Sequence, residues 1–301
     1  MEEYRFALED ISWIIFHPYD VIVDFLLKNS LFAARFIHNP PGEVPGEGDL
    51  FYPRNWISIF HLVVNFLLTP LIAVLYPFLR MKSFGNMVRN PDPSKPSDVK
   101  WFFINGILVD HWWLDLNCRK LEMRFNVGVK GIYNRSYGPI WDIVESILQR
   151  DFNMYNASVI NAIREIIREL RNEQPVRIIA HSQGAIIAGL VVDELYRLLS
   201  LSDEKNYLRN LEVFTFANGA RDFRNPEGLI KVIEHYANIG DVIPRVGVLA
   251  NSSNSDFDGD VFINGSTKGH LFNRYYSLNS QDYPIRTNPS SVLFHDKKVE
   301  L

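Results

Sequence analysis

From residue 98 onward, short apolar runs alternate with amphipathic stretches. The run Trp101-Phe102-Phe103-Ile104 stops at Asn105-Gly106, which is typical of a buried strand that ends in a turn. Residues 158–170 place apolar side chains at helical spacing with charged ones opposite, which predicts an amphipathic helix. The same patterns predict further helices over 140–149 and 185–199, and further strands over 127–133, 176–180, 211–217 and 231–236. The alternation predicts an α/β fold, with a mostly parallel sheet covered by helices on both faces.

The first 97 residues have a different pattern, rich in apolar and aromatic residues and broken by prolines. Residues 56–79 contain no Asp, Glu, Lys or Arg, and their length matches the roughly 20 residues that cross a hydrocarbon layer. Polar residues and prolines within them argue against a simple span, because they need partners in lipid. Two interpretations stay open: insertion in or association with a membrane, and a broken helical hairpin that packs as a cap.

Charged residues punctuate the apolar stretch 11–37, which predicts amphipathic helices there. Basic residues flank the 56–79 segment and would anchor either arrangement: Arg54 on one side, Arg80 and Lys82 on the other. A polar linker over residues 90–97, rich in proline and serine, marks a boundary. We therefore expect an apolar helical N-terminal region over 1–97 and an α/β catalytic domain over 98–301.

Composition narrows the classes of partner and site. The 301 residues carry a net charge of −4 without a cluster of Lys and Arg, which argues against nucleic acid as a partner. Cys118 is the only cysteine, so an intrachain disulfide framework and a multi-cysteine zinc site are excluded. Asp256, Asp258 and Asp260 lack the terminal glutamate of a calcium loop, and we expect a solvated loop there.

The first residues, MEEYR, lack the features of a signal peptide, so we expect an intracellular protein, with membrane association left open.

The pentapeptide Ala180-His181-Ser182-Gln183-Gly184 follows a predicted strand and opens a predicted helix. A serine on such a tight turn has its hydroxyl pushed out at the sheet edge, and small flanking residues let strand and helix approach closely. The free N–H groups at the start of the helix favour developing negative charge. The sequence therefore predicts a nucleophile elbow with Ser182 as the nucleophile.

A serine hydroxyl is a weak nucleophile at neutral pH, so Ser182 needs a base and a carboxylate that orients the base. In this architecture the acid and then the histidine follow the serine along the chain. His270 and His295 satisfy that order, and we favour His270 because it lies in a glycine-marked loop after the last predicted strand. Asp241, at the end of a predicted strand, is the first candidate for the acid, and Asp222 is the second.

Ester hydrolysis also needs hydrogen-bond donors for the oxyanion of the tetrahedral intermediate. The backbone N–H of Gln183 is one candidate, and the turn Asn105-Gly106-Ile107 is the other. Gly106 would let the backbone approach closely, although the same residues also suit a simple tight turn. We expect neither a metal nor an organic cofactor in this chemistry.

Two blocks after the elbow are similar to known enzymes. Residues 213–221, VFTFANGAR, and 232–244, VIEHYANIGDVIP, resemble the pattern of class 3 lipases, in which an aspartate of the second block is the triad acid. Gly269-His270 is similar to the Gly-His pair that closes the triad in serine-hydrolase-like domains of unknown function from fungi. Over roughly residues 100 to 275 the chain thus resembles the α/β-hydrolase superfamily and its lipase-like members.

The resemblance implies that Asp241 is the acid, and that the chain cleaves a carboxylic ester or thioester of a small hydrophobic acyl substrate. Ala180 departs from the glycine that usually begins the elbow, and Asn105-Gly106 stands where many lipases have His-Gly. The same triad could serve acyl transfer or cyclisation. A membrane-associated binding protein of the same fold without turnover is the alternative from another class.

Overall fold

One sheet of eight strands, with helices packed on both faces, organises the chain. The computed structural model describes residues 2–17, 44–79, 88–267, 269–288 and 290–294. The strands are β1 (Val88–Arg89), β2 (Lys100–Ile104), β3 (Val129–Ile132), β4 (Val176–His181), β5 (Leu211–Phe216), β6 (Val232–Asn238), β7 (Asp260–Asn264) and β8 (Ile285–Arg286). The helices are α1 (Glu2–Phe16), α2 (Pro53–Leu67), α3 (Thr69–Leu79), α4 (His111–Phe125), α5 (Pro139–Phe152), α6 (Ala157–Arg171), α7 (Gln183–Leu201), α8 (Val242–Val246), α9 (Val248–Asn251) and α10 (Phe272–Tyr275).

The strand order is β1-β3-β2-β4-β5-β6-β7-β8. Neighbours from β3 to β7 pair in parallel, and only the edge strands β1 and β8 pair antiparallel among the described residues. The predicted α/β class and mostly parallel sheet are therefore confirmed. The pattern missed β7, which begins at Asp260 inside the stretch expected to be a loop, and it also missed α4 and both edge strands.

Alternating side chains of the central strands enter the cores on opposite faces of the sheet. Trp101 and Phe103 pack in the core that α4 covers, whereas Phe102 and Ile104 pack in the core that α6 and α7 cover. All four side chains are buried. Each buried side chain of this size contributes roughly 1.5–3 kcal/mol of transfer free energy. Burial on both faces explains why the sequence of β2 contains a continuous apolar run.

The connections around β2 place its end beside the end of β4. From β2 the chain moves to β3 on one side, and it then crosses over to β4 on the other side. Ile104 pairs in register with Ala180, so the turn 105–107 and Ser182 leave the sheet side by side. Such a reversal of strand order is where open α/β sheets bind ligands, at the carboxyl ends of the strands.

The N-terminal helices pack against the outer helices of the sheet: α1 and α3 against α5, and α2 against α4. In the described residues no single helix is both long and apolar enough to span a membrane, whereas α2 and α3 together satisfy length and composition but bend by 93°. The sheet already begins at β1, before the predicted boundary between residues 97 and 98. Most of the expected helices over 11–37, together with Arg80 and Lys82, lie outside the described residues.

Candidate active site

Ser182 stands in a strained turn between β4 and α7. Its backbone has φ 59° and ψ −124°, which is uncommon for a residue other than glycine. The N–H of Ser182 donates to the carbonyl of Phe216 at 2.9 Å, which ties the turn to β5. Because Gln183 is the first residue of α7, its own N–H lacks an intrahelical acceptor and is free to bind an anion.

Ser182, His270 and Asp241 form one hydrogen-bonded chain. The Ser182 hydroxyl lies 2.8 Å from Nε2 of His270, and Nδ1 of His270 lies 2.8 Å from Oδ2 of Asp241. A carboxylate only accepts, so Nδ1 carries the proton and Nε2 accepts from the serine. The second candidate acid, Asp222, lies apart in an exposed pair with Arg224. His295 lies outside the described residues.

Asp241 is held by two further donors besides His270. Its Oδ1 accepts the N–H of Ile243 at 3.0 Å, which caps α8. Its Oδ2 also accepts the hydroxyl of Tyr276 at 2.7 Å. Burial, together with the neighbouring Asp241 carboxylate, raises the pKa of Tyr276 well above its usual range, so this hydroxyl remains a donor. Sequence reasoning missed Tyr276, because nothing in its local pattern links it to Asp241.

His181 fixes the backbone of the residue that carries the imidazole. Its Nε2 lies 2.8 Å from the carbonyl oxygen of His270, so this nitrogen carries the proton and donates. Burial, and then the neighbouring His270, hold the pKa of His181 well below its ordinary value. His181 therefore positions the His270 loop.

Two charged side chains hold the segment that follows His270. Nζ of Lys120 donates to three backbone carbonyls at distances of 2.7 to 3.2 Å, those of Phe272, Asn273 and Tyr276. The buried Glu47 carboxylate accepts the N–H of Asn273 at 3.0 Å and the side-chain amide of Asn117 at 2.9 Å. Burial raises the pKa of Glu47. Since Glu47 precedes α2, the N-terminal region takes part in positioning the histidine loop.

The turn after β2 touches the serine. A Cβ added to Gly106 would lie 2.6 Å from Cβ of Ser182, so only glycine allows this approach. Ile107 lines a cavity together with Ser182 and Gln183. The side-chain amide of Asn105 donates to the carbonyls of Gly106 and Asn134, both at 2.9 Å. The Asn105 side chain therefore braces the turn, while the backbone of the turn faces the serine.

Asp142, which sequence reasoning missed, supports the same turn from α5. Its carboxylate accepts the N–H of Leu108 at 3.0 Å, the hydroxyl of Ser136 at 2.6 Å and the N–H of Tyr137 at 2.7 Å. Burial raises the pKa of Asp142 to about 7 in spite of these donors. Leu108 has φ 60°, so Asp142 fixes a backbone conformation that few non-glycine residues adopt.

The side chain of Gln183 joins a buried polar network below the serine. Its amide donates to Glu145 at 3.1 Å and to Gln149 at 2.9 Å, and it accepts from the amide of Asn134 at 2.6 Å. The hydroxyl of Tyr76, on α3, donates to the other Glu145 oxygen at 2.7 Å. A continuous path of hydrogen bonds thus connects the N-terminal helices with the elbow residue.

A mostly apolar cavity of about 110 Å³ opens beside Ser182. An engineered protein cavity of about 150 Å³ accepts benzene, which sets the scale for a small apolar group. Apolar side chains from α1, the 105–107 turn, α5, α7 and α8 line it: Trp13, Ile107, Ile143, Ile147, Ile186 and Val246. The cavity therefore offers an apolar group a place next to the serine.

In the residues that the structure describes, no group of three or more His, Cys, Asp and Glu side chains is placed to hold a metal ion. No protein-family model and no curated protein matches this chain.

Proposed function

We propose that this chain is a serine hydrolase of the α/β-hydrolase fold that cleaves a carboxylic ester or thioester of a hydrophobic substrate. The observation that carries the proposal is the buried chain of two 2.8 Å hydrogen bonds from Ser182 through His270 to Asp241. Its order along the chain and its position at the carboxyl ends of parallel strands add support. The strained serine turn supports the proposal further, because such strain clusters at functional sites.

In the proposed reaction, Oγ of Ser182 bonds to the acyl carbon while Nε2 of His270 takes the hydroxyl proton. Asp241 stabilises the imidazolium through Nδ1–H, and the N–H of Gln183 and the backbone N–H groups of the 106–107 turn bind the oxyanion. The bond to the leaving oxygen or sulfur then breaks, and His270 returns the proton to that atom. Water repeats the sequence on the acyl-enzyme and releases a carboxylic acid.

The N-terminal helices fit a cap that docks on a membrane with its outer face. Leu67 on α2 and Val74 and Phe78 on α3 expose 70%, 72% and 70% of their surface, and Val74 and Phe78, four residues apart, share one helix face. Large exposed apolar surface favours an interaction site. The inner face of the same helices reaches the active-site network through Tyr76. We therefore extend the proposal to a hydrophobic ester that reaches Ser182 from a lipid surface.

A fluorophosphonate probe and a p-nitrophenyl ester series test the proposal on the full chain. We expect the wild type to be labelled and active, and Ser182→Ala to be neither. His270→Ala and Asp241→Asn should lose activity by about 10⁴-fold, with circular dichroism confirming that each variant is folded. Folded wild-type protein that neither reacts with the probe nor cleaves esters would favour the binding protein. Activity that survives in His270→Ala would assign the base to another group, such as His295.

A further inference from the structure

One face of α5 lines the cavity beside Ser182. The last side chain on that face is the cationic side chain of Arg150. Ile143, Ile147 and Arg150 all line the cavity and follow one another at four- and three-residue steps, which places them on one helix face. Asp142 beside Ile143 binds the N–H of Leu108, so the first turn of α5 lies against the turn that touches Ser182. Arg150 lies two helical turns further along, roughly 10 Å from Ile143.

In the part of the chain that the structure describes, Arg150 has an unpartnered donor, and its side chain lines this mostly apolar cavity and also a smaller neighbouring one. Its side chain is only 9% exposed. Nη2 donates to the carbonyl of Val246 at 2.8 Å, and Nη1 lies 3.3 Å from Oδ2 of Asp10. Nε of Arg150 has no hydrogen-bond partner among the described residues. A buried donor without an acceptor is unfavourable, so a ligand that supplies an acceptor at this end gains binding energy.

The charges around Arg150 are already matched, which decides the kind of acceptor. Arg221 lies 3.0 Å from Asp10 and 3.3 Å from Asp151, and Asp10 also pairs with Arg150. Two guanidinium groups therefore face these two carboxylates, and Glu9, 3.4 Å from Arg221, also pairs with Arg5 at 3.5 Å. Each cation of this cluster already has a carboxylate partner, so a further negative charge gains little here, whereas a hydroxyl or carbonyl oxygen satisfies the donor without adding charge.

We propose that the acyl chain of the substrate carries a neutral oxygen, a hydroxyl or a ketone, toward its far end, and that Nε–H of Arg150 donates to this oxygen. The proposal rests on the proposed function, since it assigns the far end of the acyl pocket of the same serine. Arg150 is then a specificity-determining residue, which selects the substrate and takes no part in bond breaking.

Matched p-nitrophenyl esters test this assignment: hexanoate and octanoate, their ω-hydroxy analogues and their ω-carboxy analogues. Without a donor in the pocket, the ω-hydroxy ester would be the poorer substrate, because burying an unpaired hydroxyl is unfavourable. We expect the opposite order, with kcat/KM for the better ω-hydroxy ester at least about tenfold above that of the plain ester. The ω-carboxy esters should be the poorest.

Substitution of Arg150 identifies the donor. Arg150→Met keeps an apolar stem of similar length and should cancel the preference, measured within the variant as the ratio of kcat/KM for the ω-hydroxy ester to kcat/KM for the plain ester of the same length. Arg150→Lys, which keeps the charge but lacks the Nε–H group, should also lose most of the preference. Arg221→Met is the matched control, because Arg221 belongs to the same ion cluster but does not line the cavity; it should keep the preference.

The outcomes separate this proposal from the proposed function. A wild type that cleaves plain esters fastest, or an Arg150→Met variant that keeps the ω-hydroxy preference, overturns the role of Arg150 and leaves the serine hydrolase standing. A folded wild type that cleaves none of the six esters and resists the fluorophosphonate probe overturns both. If Arg150→Met does not fold, the wild-type order and Arg150→Lys decide.

Discussion

The carboxyl edge of the sheet and the bent helix pair α2–α3, called the hairpin below although its helices meet at 93°, distribute polar and apolar side chains in opposite ways. At the sheet edge the polar residues Ser182, Asp241 and His270 are all buried and bound to one another. In the hairpin, most of the large apolar side chains are exposed, Leu67 and Phe78 by 70% each.

The buried contacts of the hairpin include polar ones beside the apolar packing of Leu62, Ile72 and Tyr76. The side-chain oxygen of Asn55 accepts from the indoles of Trp112 and Trp113 at 3.0 and 2.9 Å. The hydroxyl of Ser58 donates to Asp110 at 2.6 Å, and Tyr76 reaches the network below the serine. The hairpin is thus attached to the protein by hydrogen bonds and by a few buried apolar side chains, while most of its large apolar side chains stay exposed. The sheet edge excludes water from its own polar groups, whereas the hairpin presents apolar groups outward.

The largest effect should follow from a single methyl group at the sheet edge. A Cβ at Gly184 would lie 2.3 Å from the carbonyl oxygen of Ile104, so Gly184→Ala forces α7 away from β2. Because the clash is with backbone, we expect a loss of more than about 3 kcal/mol in the free energy of unfolding, measured by urea denaturation. Gly265→Ala is the control, since its Cβ would meet only Ile285 at 3.9 Å. Equal stability of the two variants would show that the elbow tolerates separation of strand and helix.

The pH dependence of stability should reveal the buried carboxylate of Asp142, which lies beside the sheet edge. The fold raises the pKa of Asp142 from 3.8 to about 7, so between these values the folded protein binds more protons than the unfolded chain. Stability from this group is complete below pH 3.8 and is lost as pH rises through about 7. The loss is about 4 kcal/mol at most.

Comparison with Asp142→Asn isolates that contribution from the other titrating groups. Urea denaturation of both proteins from pH 4 to pH 8 should show the wild type losing stability relative to the variant as pH rises. Parallel curves for the two proteins would mean that the donors at Leu108, Ser136 and Tyr137 keep the carboxylate ionised in the fold.

A smaller effect on activity should come from the hydroxyl of Tyr276. Tyr276→Phe removes one of the donors that hold Asp241 in position, so the carboxylate orients His270 less well, and the same loss makes it a better partner for a protonated His270 in the resting enzyme. We expect kcat/KM to fall about tenfold and the lower limb of its pH profile to move upward. Tyr283→Phe is the matched control, because it also removes a buried hydroxyl bond, to the carbonyl of Ser277 at 3.0 Å, away from the triad. Similar pH profiles for the two variants would exclude a positioning role for Tyr276.

The sequence predicted those helices, strands and turns that are determined by local patterns of residues. The runs of β2 and β4 and the amphipathic α6 are set by period and burial, and the elbow is a local strand-turn-helix pattern. These are the features whose placement around Ser182 the structure reproduces. The order rule then restricted the histidine and the acid to a few positions.

Supporting residues could not be found in this way, because their contacts join distant parts of the chain. Lys120 and Tyr276 are 156 residues apart, and Glu47 and Asn273 are 226 apart. Neither Lys120 nor Glu47 belongs to a motif, and an isolated charge usually indicates a solvated surface. For the hairpin, composition predicted an apolar segment but could not tell which side chains face the protein, since nearly all of them are apolar.

The smallest effect on stability should come from substitutions at the exposed side chains of the hairpin. These substitutions also test most directly the contrast between the hairpin and the sheet edge. Replacing Leu67, Val74 and Phe78 together by serine should change the free energy of unfolding by about 0.5 kcal/mol or less per site, since these side chains are exposed. Leu62→Ser, at a position of the same hairpin that is only 7% exposed, should cost more than about 2 kcal/mol.

Binding to vesicles should rank these variants in the reverse order. We expect wild type and folded Leu62→Ser to sediment with neutral phosphatidylcholine vesicles, and the triple serine variant to remain in solution while cleaving a dissolved p-nitrophenyl ester at the wild-type rate. Vesicle binding retained by the triple variant would show that the exposed face of the hairpin does not mediate membrane binding. Loss of activity on the dissolved ester would instead show that this face supports the site through Tyr76 and Glu145. Vesicle binding depends on the exposed face of these helices, whereas hydrolysis of the dissolved ester depends on the face that contacts the protein. Measured together, they decide whether the exposed apolar side chains of the hairpin serve membrane docking or support the folded site.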